Sequence, residues 1–177
     1  DQEIGAYQDL TTKIARLLGP STTAEGPLPE SLRMLLIRRA RIAKQASGKP
    51  EAALAVLRAH YRAGERWLVY CDDQTQLGLV LTMARQHSLP ANEYHSAMLG
   101  DRSKTIDHFV ATGGILVAIR CLDEGVDIPA VDHALILASS QNPREFIQRR
   151  GRLLRLAPSK VMATIHDLVV VPPRSSA

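Results

Sequence analysis

From Trp67 onward, short runs of consecutive apolar residues alternate with stretches whose apolar positions recur every three or four residues. WLVYC (67–71), ILVAI (115–119) and HALILA (133–138) have the continuous apolar character of strands buried on both faces, with NEYH (92–95) a weaker strand among them. QTQLGLVLTMARQH (74–87) places Leu77, Val80, Leu81 and Ala84 on one helical face. DRSKTIDHFV (101–110) is helical with Ile106, Phe109 and Val110 inward, and Thr112-Gly113-Gly114 is a turn. VMATIHDLVVV (161–171) closes the set as a last apolar run, before a frayed Pro-Pro-Arg-Ser-Ser tail. Strands and helices in this alternation predict an α/β protein, a parallel sheet covered on both faces by right-handed crossovers. Sites in such sheets form at the carboxyl ends of strands, so chemistry is expected in the loops after Cys71, His95, Ile119 and Ala138.

Residues 1–60 are helical in spacing throughout, with GPSTTAEGPLPE (19–30) as a linker or loop. The chain therefore reads as a helical lead-in, 1–60, followed by the α/β domain, 61–177. SLRMLLIRRARIAKQASGK (31–49) holds six basic residues and no acidic one. That fits either a helix with a solvated basic face or a phosphate-tracking surface beside the main domain.

Composition sharpens this picture only in places. Hydrophobic residues make up 45% of the 177, enough for one domain-sized core. A net charge of +4 and a pI near 9.3 are compatible with a nucleic-acid partner without establishing one. Aromatic residues at 4% argue against a platform that stacks many bases and for backbone-directed, sequence-blind contacts. Cys71 and Cys121 sit in apolar runs without metal-site spacing; they read as buried free thiols in a reducing compartment, and no metal site is expected. There is no apolar stretch of membrane-span length and no signal peptide, so a cytoplasmic location is expected. A chain starting at Asp1 without methionine also reads as a piece of something longer.

The densest chemistry is FIQRRGRLLR (146–155), with Arg149, Arg150, Arg152 and Arg155 around Gly151. Asn142-Pro143-Arg144-Glu145 is a helix start, with Asn at the N-cap, Pro in the first position and Glu in the third. On the helix that follows, Gln148, Arg152 and Arg155 fall at i, i+4 and i+7 and make one stripe. Ile147, Gly151 and Leu154 make a neighbouring stripe able to pack on the sheet, and the glycine suits a close backbone approach. A polar stripe with two arginines, after a strand's carboxyl end, is well placed to meet a phosphate.

QRRGRLLR (148–155) resembles the Q-x-x-G-R-x-x-R form of motif VI in superfamily 2 helicases. Upstream, RWLVYCDDQTQ resembles motif IV with its strand, and ILVAIRCLDEGVDIPAVDHALIL resembles motif V with its Asp-Glu-Gly-x-Asp-Ile-Pro signature. The three motifs stand in the family's order over about residues 65–170. The resemblance is to the second, C-terminal RecA-like lobe of a DEAD/DEAH-type helicase, nearest the branch of restriction and repair translocases.

This resemblance implies a RecA-like three-layer fold and a role for each matching position. Arg152 and Arg155 correspond to the arginines that reach the γ-phosphate of ATP held on the first lobe, and Gln148 couples nucleotide state to lobe closure. Gly125 and Asp127 match the nucleotide-proximal positions of motif V, with Asp127 on the ribose or, in a purely structural role, capping a loop. Many relatives have Thr-Asp after the motif V strand; here Ile119 and Arg120 stand there, so the hydroxyl contact is absent and Arg120 offers charge instead. HSAMLGDRSKTIDHF resembles the family's His-Gly…Arg…Phe stretch but is one residue short. Counting back from Phe109 matches Arg102, and counting on from His95 lands on Ser103; nucleic-acid contact is assigned to Arg102, while His95 reads as a structural strand-end residue. Arg149 joins Arg102 and Arg120 as an expected nucleic-acid contact, with an interlobe contact or plain solvated charge as the other readings for it and for Arg150.

There is no G-x-x-x-x-G-K-[ST] loop, since SGKP (47–50) lacks both the preceding glycine and the Ser/Thr. LDEG (122–125) belongs to motif V and is not a Mg²⁺-binding acidic motif. ATP and Mg²⁺ are thus expected mainly on a first lobe, with DNA or RNA gripped through its phosphates. The competing reading is a non-catalytic nucleic-acid-binding or regulatory module with a retained helicase fold. Paired Arg152 and Arg155 argue against it, because a mere binder has no need of two arginines at that spacing. A Rossmann cofactor enzyme is disfavoured because no G-x-G-x-x-G follows any strand.

Overall fold

The computed structural model describes residues 2–18, 28–119, 131–138 and 163–171. They fall in two compact units, residues 47–168 and residues 1–46 with 169–177.

In the smaller unit, helices α1 (Gln2–Leu18) and α2 (Glu30–Lys44) pack together, burying Ile14 and Leu32. Arg39 turns toward α1, its guanidinium 5.6 Å from the Tyr7 ring centre and 3.5 Å from Thr11 Oγ1. Arg33, Arg38 and Arg41 face outward, and Arg33 meets Glu30 at 3.1 Å in an exposed pair of little energetic weight. The basic stretch 31–49 is therefore not one helix. It stops at Lys44, and a new helix, α3 (Lys49–His60), starts after Ser47-Gly48 with Pro50 in its first turn.

In the larger unit, five parallel strands run β2 (Ala91–Tyr94), β3 (Gly114–Ile119), β1 (Arg66–Cys71), β4 (His133–Ile136) and β5 (Thr164–Asp167) across the sheet. Register pairs Cys71 with Ile119 and Tyr70 with Ile136. Trp67, Val69 and Cys71 point to one face, where Ala53 and Leu57 of α3 and Leu77, Val80, Leu81 and Ala84 of α4 (Gln74–Gln86) cover them. Leu68 and Tyr70 point to the other face, toward Phe109 and Ile106 of α5 (Arg102–Thr112). The three layers expected from the apolar runs are present, since residues alternating along a strand must find partners on both sides.

Three details differ from expectation. Val110 stays 39% exposed at the rim of α5, because the helix leans on the sheet through Phe109 and Ile106. The last strand is Thr164–Asp167, and Val169 and Val171 beyond it are exposed, so the most apolar part of that run is not the strand. Strand β4 ends at Ile136, although Leu137 and Ala138 remain buried and donate their N–H groups to the Tyr70 carbonyl. The turn before β3 needs glycine: Gly113 has φ +74°, and a Cβ there would lie 2.5 Å from the Gly64 carbonyl oxygen.

The carboxyl edge of the sheet

Strand β1 delivers Asp72 and Asp73 to this edge. Asp73 is the N-cap of α4, its carboxylate accepting the Gln76 N–H at 2.8 Å. The buried Gln76 side chain reaches back and accepts the Asp72 N–H at 2.9 Å. The strand–helix junction that could cradle an anion in such a fold is thus occupied by the protein's own carboxylate, whose negative charge repels phosphate. The D-x-x-Q spacing of Asp73 and Gln76 was the available sequence signal for this cap. Cys71, fully buried below it, is a free thiol whose pKa is driven up by burial and by the neighbouring Asp73 and Asp72, so it stays protonated.

Lys49, only 6% exposed, donates its Nζ to the Leu137 carbonyl oxygen at the end of β4. The lysine of SGKP thus has a structural task, satisfying a carbonyl 88 residues away. Composition and spacing carry no sign of it.

His95 stands at the end of β2. Its side chain is 12% exposed and Nε2 lies 3.2 Å from Glu93 Oε2. Arg102, the first residue of α5, is exposed, and Asp101 caps that helix through the Ser103 and Lys104 N–H groups. Of the expected site residues, Arg102 lies among those described; Arg120, Gly125, Asp127, Gln148, Arg149, Arg152 and Arg155 lie outside them. Strand β3, leading to Arg120, and β4, preceding Gln148–Arg155, flank β1 on either side with their carboxyl ends at the same edge. Among the described residues, no group of three or more His, Cys, Asp or Glu side chains could hold a metal ion, and no helix is long and apolar enough to cross a membrane.

Residues 48–157 match the family described as the helicase conserved C-terminal domain. The chain belongs to this family. The sheet is the RecA-like sheet of superfamily 2 helicases, and solved structures agree in fold. The C-terminal domain of the DEAD-box protein Dbp5 superposes with a TM-score of 0.57 at 16% identity, over 72% of this chain and 73% of that one. Domain 2 of the DEAD-box helicase Mss116p, solved on an RNA duplex, gives 0.57 at 18% identity over 69% and 50%. Among curated proteins, Dicer-like protein 2 of Neurospora crassa is 27% identical over 85% of this chain and 12% of its own length. DEAD-box ATP-dependent RNA helicase 22 of Oryza sativa is 24% identical over 57% and 18%. The helicase domain spans between 8% and 18% of the length of the curated relatives it matches.

Proposed function

We propose that this helicase C-terminal domain is the second motor lobe of an ATP-dependent nucleic-acid helicase or translocase, acting on a nucleotide held mainly by a first RecA-like lobe of the same polypeptide. The reading is carried by Q-x-x-G-R-x-x-R at 148–155, inside the family-matched segment and downstream of the carboxyl end of β4. The self-capped Asp73–Gln76 junction supports it as well, since this edge offers no phosphate cradle of its own in the described residues.

In this reading Arg152 and Arg155 place positive charge where negative charge develops on the transferring phosphoryl group. Gln148 links nucleotide state to closure, and Gly125 and Asp127 border the nucleotide, with the Asp127 carboxylate on the ribose. ATP with Mg²⁺, when bound between the lobes, supplies the phosphoanhydride whose cleavage drives a hinge cycle. Arg102, Arg120 and Arg149 meet phosphates of DNA or RNA, which makes binding salt-dependent.

The test is Arg155→Ala in the full-length protein. The motor reading expects ATP hydrolysis to collapse while nucleic-acid binding persists; unchanged hydrolysis overturns it. A non-catalytic binding module would instead show no nucleic-acid-stimulated hydrolysis even in the wild type. The isolated chain 1–177 should hydrolyse ATP negligibly, and robust turnover by it would contradict the two-lobe assignment.

A further inference from the structure

Lys49 is the one buried charged side chain among the described residues, and it sits on the first turn of α3. Three effects work against that placement. A cation leaves water, a long flexible side chain is held in one conformation, and the charge lies at the positive end of a helix dipole. The other buried polar side chain, Gln76, meets the backbone at the end of β1 as a neutral amide. Satisfying a carbonyl does not by itself require an ammonium brought from 88 positions away.

What the ammonium holds is one particular peptide. The planar unit between Leu137 and Ala138 is pinned at both ends. Its carbonyl oxygen accepts from Lys49 Nζ, and its N–H donates to the Tyr70 carbonyl at 3.3 Å. The Leu137 N–H bonds the same Tyr70 oxygen at 2.9 Å, and both residues are buried. These contacts fix the plane in which the backbone passes the end of β4, at the edge where sites of such sheets form. In the sequence, the stretch after Ala138 leads to QRRGRLLR at 148–155.

We propose that Lys49 is a positioning residue for the motor reaction: by fixing the Leu137–Ala138 peptide, it sets the geometry from which the chain continues toward Gln148, Arg152 and Arg155. The proposal rests on the motor reading above and adds a residue that acts through the backbone rather than by touching the nucleotide. Losing it misplaces groups that act in the transition state and leaves ground-state binding intact, so the loss falls on kcat.

Lys49→Met in the full-length protein keeps most of the aliphatic stem and removes the donor. Below the melting transitions of both proteins, it should lower nucleic-acid-stimulated kcat by about 10- to 100-fold. The KM for ATP and the affinity for labelled single-stranded RNA and DNA should stay within about twofold. In the chain 1–177, hydrogen exchange at the Leu137 and Ala138 amides should accelerate while the β3 amides keep wild-type rates. Lys49→Gln, shorter and uncharged, is the second variant and should give the same split if Lys49→Met does not fold. A kcat within about twofold of wild type overturns the proposal whatever happens to the Tm, and leaves Lys49 a packing residue. A loss confined to KM or to nucleic-acid affinity overturns it too, as does faster exchange spread evenly over β1 and β3. If Arg155→Ala collapses hydrolysis while the Lys49 variants keep wild-type kcat, the motor reading stands without this residue. If the wild type shows no stimulated hydrolysis, the motor reading falls and the proposal with it.

Discussion

The two edges of the sheet are built on opposite plans. At the amino edge, charges and rings find partners within the protein. Asp132, just before β4, accepts the Arg66 backbone N–H at 2.9 Å and its Nε at 3.2 Å, and returns its own N–H to the Arg66 carbonyl. Glu65 accepts Trp67 Nε1 at 2.9 Å and lies 3.6 Å from His133 Nε2. His133 stacks on Trp67 at 4.3 Å and 8°, with His166 next in the pile at 5.2 Å from the tryptophan and His60 beyond it. At the carboxyl edge, β2 is followed by α5, whose first residue is Arg102. At this edge, where sites of such sheets form, the described partners include helix N-termini and a carbonyl, held by Asp73, Asp101 and Lys49.

The strongest way to break this contrast is at the functional end. Arg152→Ala in the full-length protein should reduce nucleic-acid-stimulated ATP turnover by on the order of 10³–10⁵ and leave the melting temperature unchanged. A comparable loss of stability would mean that Arg152 belongs to the structural half of the division. The measurement is steady-state turnover beside thermal unfolding of the same preparation.

Trp67→Ala is the converse experiment. The indole is fully buried, sits in the core under α3 and α4, and is the platform for His133 and His166. Its removal should cost about 3–5 kcal/mol of stability, read from denaturant midpoints. A cost under about 1 kcal/mol would show that the stack contributes little. Smaller again is Asp73→Ala, which removes the α4 cap and should cost about 1 kcal/mol. Asp73→Asn should recover most of that, because Asn caps nearly as well.

These residues differ in how far the sequence exposed them. The strands at 67–71, 115–119 and 133–136 were legible because burial on both faces demands unbroken apolar runs, and α4 because its apolar positions keep a helical period. QRRGRLLR was read from its resemblance to the family's Q-x-x-G-R-x-x-R motif, and its residues lie outside those described. Lys49 was not, since its partner Leu137 is 88 positions away and a carbonyl leaves no mark on the residue that offers it. The histidine pile was hidden for the same reason: His60, His133 and His166 come from a helix and two strands, His133 and His166 meeting on Trp67 and His60 on His166. Nor does helical spacing in α3 reveal that Ala53 and Leu57 close one face of the sheet.

The amino edge also makes a pH prediction, the smallest expected effect. His166 has a pKa below its ordinary 6.5, first because it is buried and then because His60 and His133 disfavour a further positive charge. The folded state therefore resists a proton that the unfolded chain accepts. The stability linked to His166 is complete above about pH 6.5 and falls as the pH drops below that value. Glu65 does not interfere in this window. Burial pushes its pKa up, but the Trp67 and Arg62 hydrogen bonds and the nearby His133 and Arg62 hold it below 4.5, so its contribution is lost only at more acidic pH. Thermal unfolding between about pH 7.5 and pH 5 should show the wild-type Tm falling with acidification, and a shallower fall in His166→Gln. Parallel curves, or a wild type that gains stability on acidification, would take His166 out of the account.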